Sequence, residues 1–245
     1  MKLLSIKNIS KNYHSKNEIS AIKDFSLDVY KNDFIAIVGP SGCGKSTLLS
    51  ILAGLENESY GKIIYSDNLR IGYMLQTDCL LEFKTVLENC LLGLEIQKQK
   101  TVENINYVKE LINKYGLKDF INSYPKDLSG GMRQRVALIR TLALKPDLLL
   151  LDEPFSSLDY QNRLSVSNDI YNILKKEKKS LIIVTHDLAE AISISNKVVI
   201  MSKRPSVIKD IIDIKLENNI NPIENRKDKK FLYYYDLIWK EINHE

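Results

Sequence analysis

Long apolar runs are missing from this chain. No stretch approaches the roughly 20 consecutive apolar residues that cross a bilayer, and the opening MKLLSIKNISKNY breaks into charge too early for a secretory signal. The expectation is a chain that stays in the cytoplasm. Excess charge of one sign is missing too. The 35 basic residues stand against 31 acidic ones, a formal net charge of +4, which supplies no strong field for nucleic acid or acidic lipid. Cysteine is scarce: Cys43, Cys79 and Cys90 show neither paired metal-ligand spacing nor a disulfide framework, so reduced thiols are expected. There is no internal repeat and no low-complexity linker. What remains is a chain of 245 residues, 44% of them hydrophobic, long enough for a full core and near the length at which single cores begin to split. One domain with a subdomain is the natural outcome.

The patterning predicts an α/β fold. AIKDFSLDVY sets Phe25, Leu27 and Val29 on one face and Lys23, Asp24, Ser26 and Asp28 on the other, as a half-buried antiparallel strand does. A turn at Lys31, Asn32 and Asp33 follows, then FIAIV as a central strand. Residues 61–76 hold two short β-like runs around a turn at Ser66 to Asn68, read as continuing the antiparallel layer. From Thr101 to Tyr115 the spacing becomes helical, with Gly116 suited to end the helix, and a helical region runs to about Ala143. LLLLD, SLIIVTHD and KVVIMS then read as buried parallel strands joined by crossover helices. Asp187 with Glu190 predicts a capping box. Near the end, Phe231, Tyr235, Ile238 and Ile242 share one face of a docked amphipathic helix.

Three stretches carry chemistry. Gly39, Pro40, Ser41, Gly42, Cys43, Gly44, Lys45 and Ser46 fill the pattern G-x-x-x-x-G-K-[ST] between a strand and a helix. Glycines there let backbone N–H groups converge on phosphate oxygens, and the helix adds its positive end. Lys45 supplies a point charge to the β- and γ-phosphates, Ser46 offers a hydroxyl to Mg²⁺, and Thr47 can donate to a nearer phosphate. The turn is built to hold a nucleoside triphosphate. LLLLDEP ends an apolar strand in two carboxylates, which a bound Mg²⁺ explains: Asp152 reaches the metal through water, and Glu153 points into the site as general base. In LSGGMRQR, Ser129, Gly130 and Gly131 open a helix with a hydroxyl and free N–H groups, anion-binding physics again, although alone it is equally an ordinary capped helix.

Taken in order, GPSGCGKST, Gln76 at the end of RIGYMLQ, LSGGMRQR, LLLLDEP, SSLD at Ser156 to Asp159, and VTHD with His186 resemble the ATP-binding subunits of ABC transporters over nearly the whole chain. The resemblance implies a P-loop NTPase core, a mostly parallel sheet with crossover helices, plus an antiparallel β subdomain and a helical signature subdomain. Residues 1–85 and 145–215 would form the core with its antiparallel layer, 86–144 the helical subdomain and 216–245 the tail helix, all within one domain. It also implies ATP and Mg²⁺ as cofactors and a head-to-tail dimer. Each ATP would lie between the phosphate loop of one subunit and Ser129, Gly130 and Gly131 of the other. In that scheme His186 holds the γ-phosphate, Gln76 senses Mg²⁺ and the nucleophile, Asp159 helps the contact across the dimer, and Tyr13 stacks on adenine. Glu153, His186, Gln76 and Lys45 are the catalytic set; Ser46, Gln76 and Asp152 are the metal set.

Within that family the chain is similar to the subunits of importers for nitrate, sulfonates, taurine and related compounds. The similarity rests on LSGGMRQRVALIRTLALKPDLLLLDEPFSSLD, on TVLENCLLGLEI after Gln76, and above all on MSKRPSVIKDIIDI. Like them it is expected to lack a large C-terminal regulatory domain. It departs in a shorter segment between Thr47 and Gln76 and in LLEFKTV, where a tryptophan-containing stretch is usual. The implied partners are membrane permease subunits at the cytoplasmic face of the plasma membrane and, indirectly, an extracytoplasmic solute-binding protein. Motors of exporters, of lipoprotein release or of vitamin-precursor importers share the same site and are the alternative. Soluble relatives acting on DNA or the ribosome need long heptad arms or a second cassette, and neither is present. Cys43, beside Lys45 and a helix N-terminus, is expected to be the most reactive thiol, protected by ATP.

Overall fold

The computed structural model describes residues 1–14, 18–156, 158–217 and 221–243. Two sheets organise it. A three-stranded antiparallel sheet has the order β2-β1-β4, from strands β1 (Lys2–His14), β2 (Glu18–Tyr30) and β4 (Tyr60–Tyr65). The expected half-burial of β2 is present: Phe25, Leu27 and Val29 face the core and Lys23, Asp24 and Ser26 face solvent. Asn32 adopts φ +68 in the turn that follows, where Asn is tolerated better than most residues.

The second sheet has the order β5-β6-β7-β3-β8-β9. Its strands are β3 (Phe34–Val38), β5 (Ile71–Met74), β6 (Leu148–Asp152), β7 (Ser180–Val184), β8 (Lys197–Met201) and β9 (Ile208–Asp213). Its first five members run parallel, and β9 closes one edge antiparallel to β8. FIAIV, LLLLD and SLIIV are buried at every position, because this sheet is covered on both faces. Alternate side chains enter two different cores. Ala36, Val38, Leu149, Leu151 and Ile183 join the helical side, while Ile35, Ile37, Leu148, Leu150 and Ile182 pack against the antiparallel sheet and helix α1 (Lys45–Leu52).

One expectation fails here. The second run of residues 61–76 does not continue the antiparallel layer. It leaves β4, crosses to the large sheet and pairs as β5 parallel to β6, with Ile71 opposite Leu148 and Met74 opposite Leu151. Gly72 permits this junction, since a Cβ there would stand 2.9 Å from the Thr141 side chain and 3.0 Å from Pro146. The step carries Gln76 to the mouth of the parallel strands.

The helical region comprises α2 (Val86–Ile96), α3 (Val102–Lys114), two short 3-10 turns and α4 (Gly130–Leu142). Helix α3 is capped by Thr101 and stopped at Gly116, φ +70, as its spacing predicts. Helix α2 opens on a reciprocal Thr85–Glu88 capping box, a T-x-x-E signal legible in TVLE. The crossover helices are α5 (Tyr160–Lys176) and α6 (Leu188–Ile194); α7 (Pro222–Asn225) and α8 (Phe231–Asn243) follow. The expected face of α8 is docked: Phe231 and Ile238 are buried, with Tyr235 and Ile242 packed beside them. Among the described residues no helix is long and apolar enough to cross a membrane.

Candidate functional site

The C-terminal ends of the parallel strands carry a cleft lined by Ser41, Gly42, Gly44, Lys45, Ser46, Thr47, Gln76, Glu153, His186 and Arg204. Each arrives from a different strand end. The phosphate loop follows β3, Gln76 follows β5, Glu153 follows β6 and His186 follows β7, the crevice where open α/β sheets bind ligands. Gly42 and Gly44 hold φ +73 and +108, a backbone that only glycine adopts without strain. At Gly39 a Cβ would stand 2.8 Å from the Met201 carbonyl, so strand β8 presses the loop from behind. Lys45 is 7% exposed, with Nζ donating to the carbonyls of Gly39 at 2.9 Å and Pro40 at 3.0 Å.

Glu153 is the focus of the far wall. Its carboxylate Oε2 accepts from Gln76 Nε2 at 3.3 Å and lies 3.4 Å from His186 Nδ1. Its backbone sits at φ +45, a left-handed conformation that costs a non-glycine residue about 1 kcal/mol or more. The Glu153 N–H donating to Val184 O at 2.9 Å, and Ser156 binding the Glu153 carbonyl through both N–H and hydroxyl, hold it there. Beside it Ser46 Oγ donates to Asp152 Oδ1 at 3.2 Å. Burial pushes the Asp152 carboxyl up, Ser46 and Lys45 oppose that, and the Glu153 charge adds to it; the Tyr73 phenol also borders the group. Ser46 lines the cleft and Asp152 stands buried behind it, 3% exposed; a hydroxyl and a carboxylate so paired are the hard oxygen donors that Mg²⁺ takes, the carboxylate reaching it through water. Among the described residues no three His, Cys, Asp or Glu converge into an all-protein metal cage, and a cation that keeps waters and phosphate oxygens needs none.

The other expected residues lie elsewhere. Ser129 caps α4, accepting from the Met132 N–H at 3.3 Å, and Ser129 and Gly130 are exposed; neither they nor Gly131 line the cleft. Gly131 is sterically required, because a Cβ would stand 2.9 Å from Leu158. Asp159 caps α5 through the Asn162 N–H and is exposed; hydrogen bonds from Asn162 hold its carboxyl below the usual range. Ser157, within the SSLD stretch, lies outside the described residues. Tyr13 donates to Glu56 Oε2 at 2.7 Å and stands 3.4 Å from Thr47 Oγ1, with Lys11 Nζ 5.0 Å over its ring.

Cys43 contradicts its expected reactivity. Its side chain is 1% exposed and belongs to the core beneath the loop, so burial pushes the thiol up and outweighs the Lys45 charge. Apolar burial raises a thiol, here by more than its charged neighbour lowers it. Cys90 is also buried and raised, whereas Cys79 is exposed. Alkylation of the native protein is therefore expected to label Cys79 first, with Cys43 and Cys90 modified only after unfolding. Peptide mapping of a time course reads this directly, and early labelling of Cys43 would overturn its burial.

Residues 22–156, more than half of the chain, match the family described as ABC transporter. The chain belongs to the ABC transporter family. As an ABC ATPase it is 43% identical, over 99% of its length and 96% of the relative's, to YtlC, an uncharacterized ABC transporter ATP-binding protein of Bacillus subtilis (strain 168). It is 40% identical, over 98% and 96%, to the aliphatic sulfonates import ATP-binding protein SsuB of Bacillus thuringiensis subsp. konkukian (strain 97-27). It superposes on the dimeric post-hydrolysis state of the ATP-binding cassette MJ0796 bound to ADP and Pi with a TM-score of 0.78. Identity there is 27%, over 87% of this chain and 99% of that one.

Motif reading of the ABC subunit misses the ties between its parts. Arg133, inside the signature helix, grips Asp78 at 2.7 Å and 3.0 Å and Glu82 at 2.8 Å, holding the Asp78 carboxyl below its usual range. Gln134 Nε2 reaches the Gln76 carbonyl at 3.5 Å, so the signature helix is fastened to the segment that starts at Gln76. On the other side Arg163 donates to Asp187 Oδ2 at 3.0 Å and to the Leu158 carbonyl at 3.3 Å. It ties the turn before Asp159 to the turn that carries His186. The capping box expected at Asp187 is half present: Asp187 accepts from the Glu190 N–H, but the Glu190 carboxyl turns inward to Thr185 Oγ1. Burial, which pushes that carboxyl up to about 7, explains the exchange: a buried acid takes the hydroxyl partner already inside the core.

Proposed function

We propose that this ABC subunit hydrolyses ATP to energise an importer of nitrate, sulfonates, taurine or a related small solute. The observation that carries the hydrolytic part is the convergence of Gln76 Nε2 and His186 Nδ1 on Glu153 Oε2 beside Lys45 and Ser46. A carboxylate so oriented, strained into position and open to the cleft, is suited to take a proton from water as its oxygen attacks the terminal phosphorus and ADP leaves. Lys45 neutralises the transferring group, and His186 and Gln76 orient the water and the γ-phosphate. Ser46 and Asp152, with Gln76 beside them, would hold Mg²⁺, which would supply charge neutralisation of the phosphates. Tyr13 stacks the adenine on the ring face away from Lys11.

The cleft of a single subunit lacks Ser129, Gly130, Gly131 and Asp159. Their exposed helix N-termini are available to a second copy, which supports a head-to-tail dimer with each ATP between two subunits. The MJ0796 cassette, similar in fold, is dimeric. Phe83, 75% exposed in LLEFKTV, adjoins the segment after Gln76 and suits contact with the permease at the cytoplasmic face of the membrane. The sulfonate reading is supported by the SsuB relative. Among the described residues the longest helix is α5, at 17 residues, which gives no support to a DNA-repair cassette with long arms.

The test is reconstitution of the subunit with its neighbouring permease in liposomes, together with the associated solute-binding protein. Alkanesulfonates, taurine or nitrate are expected to stimulate ATP hydrolysis and to accumulate in the compartment that holds the ATPase, opposite the one that holds the solute-binding protein. Stimulation by a vitamin precursor alone, or cargo movement in the export direction, overturns the assignment.

A further inference from the structure

The Arg-Pro stretch that marks the sulfonate-type group in the sequence has no part in the phosphate loop, in the adjacent acids or in the signature. The structure nevertheless carries it to the nucleotide cleft. Arg204 Nη2 donates to the carbonyl of Gly42 at 2.5 Å, across 162 positions of sequence, and Arg204 lines the same cleft as Ser41, Lys45 and Thr47. Among the described residues its guanidinium pairs with no carboxylate. Arg70, Arg133 and Arg163 each have one, in Asp147, Asp78 and Asp187. One hydrogen bond to Gly42 leaves most of the five guanidinium N–H donors free.

The turn that presents it is built. Residues 202–207 close on themselves through the Ser202 N–H to Val207 O at 3.0 Å and the Val207 N–H to Ser202 Oγ at 3.0 Å. Ser206, fully buried, fastens the turn to β2. Its N–H and hydroxyl both donate to Ala21 O at 3.1 Å, and its carbonyl accepts from the Lys23 N–H at 2.9 Å. A Cβ on Gly44 would stand 3.7 Å from Ser206 Oγ, so the turn packs directly under the phosphate loop. Thr47, which lines the same cleft as Arg204, stands 3.4 Å from the Tyr13 hydroxyl, so the cleft continues from the phosphate loop toward Tyr13.

We propose that Arg204 is a nucleotide-binding residue: anchored on Gly42, its guanidinium holds the α-phosphate of the bound nucleotide. The inference rests on the ATPase reading above. Lys45 serves the far phosphates from a buried position, and a polyanion with four ionisable oxygens gains from a second, pre-positioned cation whose planar donors match phosphate geometry. The marker of the group is then a property of its nucleotide site and carries no information about cargo.

The test is equilibrium titration of the full-length protein with Mg-ATP and with Mg-ADP, for the parent and for Arg204→Ala, Arg204→Gln and Arg204→Lys. Because both nucleotides carry the α-phosphate, Ala and Gln are expected to weaken both by the same factor, about tenfold, the scale of a charge-assisted hydrogen bond. Lys recovers part of the loss, and the KM for ATP rises in step. If Arg204 merely props the phosphate loop, Gln, which keeps a donor for Gly42, restores parent affinity, and the proposal fails. A loss confined to ATP overturns the α-phosphate assignment, and unchanged affinities in Arg204→Ala overturn it entirely. A parent protein that binds neither nucleotide overturns the ATPase reading itself.

Discussion

Glu153→Gln is expected to bind Mg-ATP with parent affinity and to hydrolyse it about 10²–10⁴-fold more slowly, the range associated with a positioned general base. The amide keeps the shape of the carboxylate, and the backbone hydrogen bonds that hold residue 153 at φ +45 are untouched. An amide oxygen still accepts from Gln76 Nε2, which lies 3.3 Å away. What disappears is the site that takes the proton. Because each ATP is proposed to lie between two subunits, ATP that is bound but not hydrolysed accumulates a dimer. Size-exclusion chromatography with and without Mg-ATP, alongside phosphate release, measures both effects. A variant that stays monomeric with ATP and turns over at the parent rate removes Glu153 from the role.

Ser129→Arg is expected to reduce hydrolysis by at least about 10²-fold while leaving ATP affinity of the monomer within about twofold. Ser129 is exposed at the start of α4 and does not line its own subunit's cleft, so within one chain its loss costs only the helix cap, about 1 kcal/mol. Across a head-to-tail interface the effect is much larger. There the hydroxyl and the N–H groups of Gly130 and Gly131 would face the partner's γ-phosphate, and a long side chain would hold the two surfaces apart. Isothermal titration of the monomer and steady-state turnover separate the two quantities. A parallel collapse of affinity and turnover would place Ser129 in its own chain's site and end the head-to-tail arrangement.

Both predictions depend on a division of the site that the sequence shows only in part. The phosphate loop is legible because its requirements are local: glycines at positive φ, a lysine only five and six residues from its carbonyl partners, and a helix that begins at once. The acids are legible because carboxylates at the end of a buried LLLLD strand call for a reason. Tyr13 and Gln76 carry no such signal. They stand out only through the family pattern, which does not show that Tyr13 binds Glu56 or that Gln76 binds Glu153.

What the amino-acid sequence by itself determined is therefore every feature whose physics is completed within a few neighbours. These are the period-2 face of β2, the fully apolar parallel strands, the Thr101 and Gly116 ends of α3, the docked face of α8 and the strand–loop–helix that cradles phosphate. Tertiary structure decided the features in which one residue's environment is supplied from far along the chain. Residues 71–74 have an apolar alternation that either sheet accepts, and only the free edge of β6 drew them into the large one. Cys43 has the neighbours of a reactive thiol, but the core closing over it set its exposure and hence its chemistry. Glu190 has the spacing of a reciprocal cap, and burial sent its carboxyl to Thr185 instead. Arg204 reads as part of a surface turn until the packing of that turn on β2 lays its guanidinium across Gly42. Backbone conformation is encoded by adjacent residues, whereas solvation and charge are set by whatever packs against a side chain, and that is fixed only when the whole chain has folded.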